Sequence, residues 1–191
     1  MNISEAAVIL GKEYSFSAID TDNVIKELGL PQTAKILEVG TGMGSLSITL
    51  ALNGYNVVTG EPIDDDTIYA NQNWFQNAEQ VNVQQFIEFK PFDANDIPYD
   101  DGTFDAIFCQ GTLHHIAEDE RENVFQEFIR TTKPDATICF FEPNEKAIQM
   151  IRESDPSHPD AADPSKLKES AQATFRIIKG NNFDAYIFQR K

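Results

Sequence analysis

Apolar residues recur along this chain in two rhythms. Short apolar runs bounded by Gly, Pro, Asn or Asp fall at Lys35 to Val39, Tyr55 to Gly60, Phe86 to Phe92, Phe104 to Cys109 and Thr137 to Phe141. Runs this short, with such flanks, read as buried strands. Between them the spacing turns helical. Val24, Ile25 and Leu28 share one face of a helix over Asp20 to Gly29, with Asp20 or Thr21 as N-cap and Gly29 then Pro31 as the stop. Gly44 to Asn53, Thr67 to Ala78 and Glu145 to Glu153 are expected helices. Glu118 to Thr132 is amphipathic, with Val124, Phe125, Phe128 and Ile129 as its buried stripe and Glu118, Asp119 and Glu120 at its positive N-terminal end.

The C-terminal part changes character. Asp155 to Pro164 holds three prolines and reads as a loop, Lys166 to Gln172 as a short helix. Thr174 to Lys179 and Phe183 to Gln189 then form two strands joined by Gly180-Asn181-Asn182, a connection so short that the strands must be antiparallel. Strands alternating with helices imply an α/β, doubly wound, mostly parallel sheet covered on both faces, to which the hairpin adds an antiparallel strand. One domain over residues 1–191 is expected: a lid and leading helix in 1–33, a core in 34–143, and C-terminal helices with the hairpin in 144–191.

Composition narrows the partners. The 191 residues carry 31 acids against 15 Lys and Arg, a formal net charge of −16. Such a field repels phosphate backbones and anionic lipid over about 8–10 Å, which disfavours nucleic acid as a substrate. No stretch reaches the roughly 18–20 apolar residues of a membrane span, and Met1 to Leu10 lacks the pattern of a signal peptide, so a cytoplasmic protein without membrane contact is expected. Cys109 and Cys139 lie inside apolar strands and are assigned to the core. Neither stands at ligand spacing from another Cys or a His, so no metal site is expected.

The chemistry concentrates in Ile36-Leu37-Glu38-Val39-Gly40-Thr41-Gly42-Met43-Gly44. Alternate glycines permit sharp turns at positive φ and let a ligand approach bare backbone, while the helix that follows offers unpaired N–H groups. Dinucleotide folds use the spacing G-x-G-x-x-G instead. Glu61 ends the second strand, where an acid can accept two hydrogen bonds from ribose hydroxyls. Further on come Phe92-Asp93-Ala94-Asn95-Asp96-Ile97-Pro98-Tyr99, Gln110-Gly111-Thr112-Leu113-His114-His115-Ile116, Lys133-Pro134-Asp135-Ala136 and Glu142-Pro143.

Together these stretches resemble the class I S-adenosylmethionine-dependent methyltransferases, in their general small-molecule branch. Glu38 to Gly44 fills the D/E-x-G-x-G-x-G signature. Phe92 to Ile107 is similar to G-D-A-x-x-L-P-F-x-D-x-S-F-D-x-V, with Phe92 in place of the glycine. The resemblance implies a seven-stranded sheet of order 3-2-1-4-5-7-6. It also implies S-adenosyl-L-methionine as cofactor, S-adenosyl-L-homocysteine as product, and a small-molecule acceptor with a nucleophilic O, N or C.

By the same resemblance the cofactor contacts are Glu38, Gly40, Thr41, Gly42, Gly44, Glu61, Pro62, Asp93, Ala94 and Gln110. Asp93 would take the adenine amine, and Gln110 would lie near the methionyl portion. Tyr14, Phe16, His114 and Glu142 are the candidate substrate contacts. His114 is either a general base or a structural ring that caps a helix or packs on the sheet. Glu142 either faces the crevice or merely ends its strand. Two other readings stay open: a protein that binds the cofactor without catalysis, and a nicotinamide-dependent oxidoreductase. The oligomeric state has no signature.

Overall fold

The computed structural model describes residues 1–70, 72–169 and 173–190. Among the described residues these helices and strands follow one another: α1 (Ile3–Leu28), β1 (Ile36–Val39), α2 (Ser45–Leu52), β2 (Val57–Gly60), α3 (Trp74–Gln80), β3 (Ile87–Phe89), β4 (Phe104–Gln110), α4 (Arg121–Thr131), β5 (Thr132–Pro143), α5 (Glu145–Arg152), β6 (Ala173–Ile178) and β7 (Phe183–Arg190). The strands form one sheet in the order β3-β2-β1-β4-β5-β7-β6. β1 to β5 pair in parallel, and β7 runs antiparallel to both β5 and β6. Fold class and strand order are those expected from the sequence.

Side-chain alternation divides the core in two, because successive residues of a strand point to opposite faces. Leu37, Val39, Ile107, Cys109, Ile138 and Phe140 pack under Val124, Phe125 and Phe128 of α4. Ile36, Val57, Ala106, Phe108, Cys139 and Phe141 face Val24 and Ile25 of α1 and Leu46 and Leu50 of α2. Both cysteines are fully buried, as the strand pattern required.

Several boundaries differ from the sequence expectation. The first helix does not start at Asp20. It starts at Ile3, where Asn2 and Glu5 form a reciprocal capping box, and it is interrupted at Gly11 (φ 82°). Asp20 is buried inside α1 and acts on the other end of the chain. Its carboxylate accepts the N–H groups of Asn181, Asn182 and Phe183 at 2.9, 2.8 and 3.0 Å. Gly180 is needed in that turn, because a Cβ there would lie 2.0 Å from the Phe183 carbonyl oxygen and 2.8 Å from Asp20 Cγ.

The helix expected over Thr67 to Ala78 is only α3. Upstream, Thr67 donates its N–H to Asp65 Oδ1 and the chain turns away, which carries Tyr69 to a hydrogen bond with Asp155 Oδ2 at 2.6 Å. The third strand is confined to three residues, since Gln84–Phe86 forms a 3₁₀ turn. In place of a helix from Lys166, a 3₁₀ turn spans Pro164–Leu167, and Ser170 to Gln172 of that expected helix lie outside the described residues.

Removing the buried acceptor for three N–H groups should be costly. Asp20→Ala is expected to lower unfolding stability by about 1–3 kcal/mol, since the buried Phe183 N–H and the half-buried Asn182 N–H would lose their charged partner. Lys12→Ala on exposed surface of the same helix should change it by less than about 0.5 kcal/mol. Urea titration of both variants checks the contrast.

Candidate active site

The parallel register puts the chemistry at one edge. Val39 pairs with Gly60 and with Cys109, and Gln110 pairs with Phe141. The residues just beyond, Gly40, Glu61, Gln110 and Glu142, therefore stand side by side at the carboxyl ends of four strands, where open α/β sheets bind ligands. Phe92 donates its N–H to the Glu61 carbonyl at 3.3 Å, which brings Asp93 and Ala94 to the same rim.

Gly40, Gly42 and Gly44 all have positive φ (90°, 47° and 83°), so the loop takes a path that side chains resist. Gly40 is also pressed against Thr112, whose Oγ1 would lie 2.0 Å from an added Cβ. The loop is held by acids and hydroxyls. Gly42 donates its N–H to Glu61 Oε2 at 2.8 Å, and the hydroxyls of Thr41 and Thr59 meet at 2.9 Å. Pro62, half-buried, begins the segment that returns over the loop, where the Tyr69 carbonyl oxygen comes within 3.1 Å of a Cβ built at Gly42.

Glu38 shares the strand face of Ile36 and so points at α2. It is 1% exposed, and the Ser47 hydroxyl donates to its carboxyl. Burial pushes its pKa up to about 8, and hydrogen bonds from Ser47 and Thr59 offset only part of that. The carboxyl thus ties β1 to α2 just before the glycine loop. Gln110 points to the same face, where its amide N–H donates to Ser17 Oγ of α1 at 3.0 Å, while its buried Oε1 has no partner among the described residues. Asp93 is exposed, and its Oδ1 accepts the Asn95 N–H at 2.8 Å in a tight turn.

The substrate-side candidates separate. Tyr14 is a correction: it is fully buried, packed with Ile48 and Ala51, and its hydroxyl meets Thr49 Oγ1 at 3.0 Å. Burial raises its pKa to about 12. A ring so placed is core and touches no crevice. Phe16 is half-buried, edge-on to Phe183 at 5.9 Å. His114 and Glu142, open to two readings each in the sequence, prove to be one unit. They are 5% and 1% exposed, with His114 Nδ1 donating to Glu142 Oε2 at 2.7 Å, and that oxygen also accepts the Ala162 N–H at 3.1 Å.

What the sequence missed is His158. It lies in the proline-rich loop after α5, yet its ring centroid is 5.1 Å from that of His114 and 5.3 Å from that of His115. No motif spacing links it to the pair; its only signal was being the third histidine of the chain. Tyr69 stacks on His115 at 5.0 Å. Packed against these rings, His115 has its pKa lowered to about 4, first by desolvation and then by repulsion from His114 and His158.

Comparison with known proteins agrees with this geometry. The chain belongs to the methyltransferase domain family, whose model matches residues 37–140. It is 22% identical over 171 residues to the 27-O-demethylrifamycin SV methyltransferase of Amycolatopsis mediterranei, a match covering 87% of this chain and 57% of that protein. It is 26% identical over 134 residues to the demethylmenaquinone methyltransferase of Clavibacter sepedonicus, covering 70% and 51%. The chain thus spans only about half the length of these curated relatives. A solved structure of a candidate S-adenosyl-L-methionine-dependent methyltransferase from Methanococcus maripaludis superposes with a TM-score of 0.73 at 20% identity, over 98% of this chain and 90% of that one. That likeness is one of fold. Among the described residues no helix is long and apolar enough to cross a membrane.

S-adenosyl-L-methionine is the cofactor this family implies, and the residues present fit it. The orphaned Gln110 Oε1 is a buried acceptor suited to an ammonium group, and Glu61 stands at the strand end where ribose hydroxyls are held. The nicotinamide reading is set aside by the family match.

Glu38 yields a pH prediction. Because its carboxyl binds a proton more tightly when folded (about 8) than its ordinary value of 4.5, its share of stability is greatest below about 4.5 and is lost as pH climbs to about 8. Glu38→Gln should remove this dependence, so that the variant's stability relative to the parent improves between pH 5 and pH 8. Urea unfolding at both values measures it, and a constant difference would refute the buried, protonated carboxyl.

Proposed function

We propose that this protein transfers the methyl group of S-adenosyl-L-methionine to a nucleophilic oxygen, nitrogen or carbon of a small molecule, leaving S-adenosyl-L-homocysteine. The observation that carries this reading is the gathering of Glu61, Asp93 and the partnerless Gln110 Oε1 around the glycine loop, in a chain of the methyltransferase domain family. When bound, the cofactor supplies an electrophilic methyl group on a sulfonium.

The chain's own residues bind and orient. Glu61 accepts ribose hydroxyls and Asp93 the adenine amine, with Ala94 presenting backbone to the ring. Glu38, Gly40, Thr41, Gly42, Gly44 and Pro62 shape the wall on which the methionyl part rests. Gln110 accepts the ammonium through Oε1 and is kept in place by Ser17 of α1. The acceptor side is built from Phe16, His114 and Glu142. Holding the acceptor atom against the methyl group is the main catalytic device; near-attack placement is worth roughly 7–11 kcal/mol in favourable intramolecular cases.

A small-molecule acceptor is supported by the net charge of −16, which disfavours nucleic acid. The names of the two curated relatives point the same way for those proteins.

Two measurements test the reading. Glu61→Ala and Asp93→Ala should each weaken S-adenosyl-L-homocysteine binding by roughly 1–3 kcal/mol through a lost polar contact. Calorimetry on folded variants checks this, and unchanged affinity in both would place the cofactor elsewhere. Release of S-adenosyl-L-homocysteine from a panel of O, N and C acceptors tests catalysis. Tight cofactor binding with no release against any acceptor class would favour a protein that binds without transferring.

A further inference from the structure

Three imidazoles converge beyond the carboxyl end of β4 from two separate loops. Each of His114, His115 and His158 offers a ring nitrogen, and these nitrogens lie within 4.8 Å of one another. His114 and His115 sit on the 3₁₀ turn Leu113–His115 after β4, and His158 sits between α5 and the turn Pro164–Leu167. Nothing in the local backbone requires three basic rings here.

The hydrogen bonds fix which nitrogens are available. His114 Nδ1 faces a carboxylate, Glu142 Oε2, at 2.7 Å, and His158 Nδ1 faces the Pro159 carbonyl at 3.0 Å. Both partners only accept, so Nδ1 carries the proton in each ring and the lone pair falls on Nε2. A carboxylate or carbonyl behind a histidine is the arrangement that orients metal-binding imidazoles and raises their basicity. The surroundings suit a cation. Glu142 is buried with its Oε1 lacking a partner among the described residues, and Asp65 and Asp155 act on His115 as negative charges.

We propose that His114, His115 and His158 bind one divalent transition-metal ion of the zinc class, with Glu142 as the carboxylate that positions His114. Imidazole donors select Zn²⁺, Co²⁺, Ni²⁺ or Cu²⁺ over Mg²⁺ or Ca²⁺, which prefer oxygen. Bonds of about 2.0–2.1 Å in a tetrahedral ion set its nitrogens roughly 3.3 Å apart, so the rings must close in modestly. His115, the most exposed of the three, is the ring free to do so. Three protein ligands leave a fourth position for water or another oxygen. That this position would activate an acceptor hydroxyl rests on the function proposed above; metal binding does not, and it competes with a general-base role for His114 because both need the same lone pair.

The test uses the untagged full chain, stripped with chelator and titrated with Co²⁺ in the absence of cofactor and acceptor. One Co²⁺ per chain is expected, with the visible bands of a four-coordinate nitrogen-ligated ion, displaced by Zn²⁺ but not by millimolar Mg²⁺. Glu142→Gln should weaken Co²⁺ binding about 10–100-fold, the usual loss for a partner behind a ligand. His158→Ala should abolish the bands. Because His158 is buried, His115→Ala at the surface is the safer variant, and retained S-adenosyl-L-homocysteine binding would confirm its fold; it should bind Co²⁺ at least tenfold more weakly. Co²⁺ bound without those bands, or with unchanged affinity in both His115→Ala and His158→Ala, would overturn the site while leaving the methyltransferase reading untouched.

Discussion

The parallel pairing of β1 with β2 on one side and β4 on the other is the constraint on which the rest depends. It fixes two things together. Register aligns the strand ends, so that Gly40, Glu61 and Gln110 become neighbours although they are far apart in sequence. Alternation decides facing: Glu38, Glu61 and Gln110 share the side covered by α1 and α2, whereas Glu142 shares the side of α4. A one-residue slip of β1 would turn Glu38 into the α4 core and Leu37 toward Ser47, exchanging a braced acid for an unpartnered one.

Burial then gives each acid its own task. Glu38 is enclosed and carries its proton up to about pH 8, which suits a brace inside an apolar layer. Glu61 stands at the rim, where Gly42 donates to it and the loop's path is set. Glu142 is as buried as Glu38 but meets a histidine instead of a serine, so it acts by holding the His114 ring. The three carboxyls differ in function because the partner each meets differs.

Much of this was legible in the chain. The mostly parallel, doubly wound sheet and its antiparallel hairpin follow from runs of apolar residues and a short turn, whereas the strand order comes from the resemblance carried by the motifs at Glu38 to Gly44 and Phe92 to Ile107. What escaped depends on contacts between distant segments. Asp20 looked like a helix cap because aspartate favours that place; its true partners are more than 160 residues away, at the hairpin turn. Tyr14 lay in the N-terminal segment expected to contact substrate, and only the packing of α1 on α2 reveals that Thr49 takes its hydroxyl. Thr67 to Ala78 has helical spacing, but capture of Tyr69 by Asp155 and His115 draws its first half out. His158 belongs to a loop whose course no periodicity describes.

The same long-range contacts join the first helix to the last strands. Asp20 grips the β6–β7 turn while Asn182 donates to the Phe16 carbonyl at 2.8 Å, so α1 is fastened to the antiparallel hairpin. One turn earlier on the same helix, Ser17 accepts from Gln110 at the rim. The hairpin, the helix and Gln110 at the end of β4 are therefore connected through hydrogen bonds within a few residues of one another. Weakening the Asp20 clamp would loosen α1 and with it Ser17, the group that holds the Gln110 amide, so the hairpin turn bears on the rim of the sheet through α1. On the opposite face Glu142 does the equivalent: one oxygen joins β5 to Ala162 and to His114. Each face of the sheet thus ties a rim residue to a distant segment, Gln110 to α1 through Ser17 and Glu142 to the loop after α5 through Ala162.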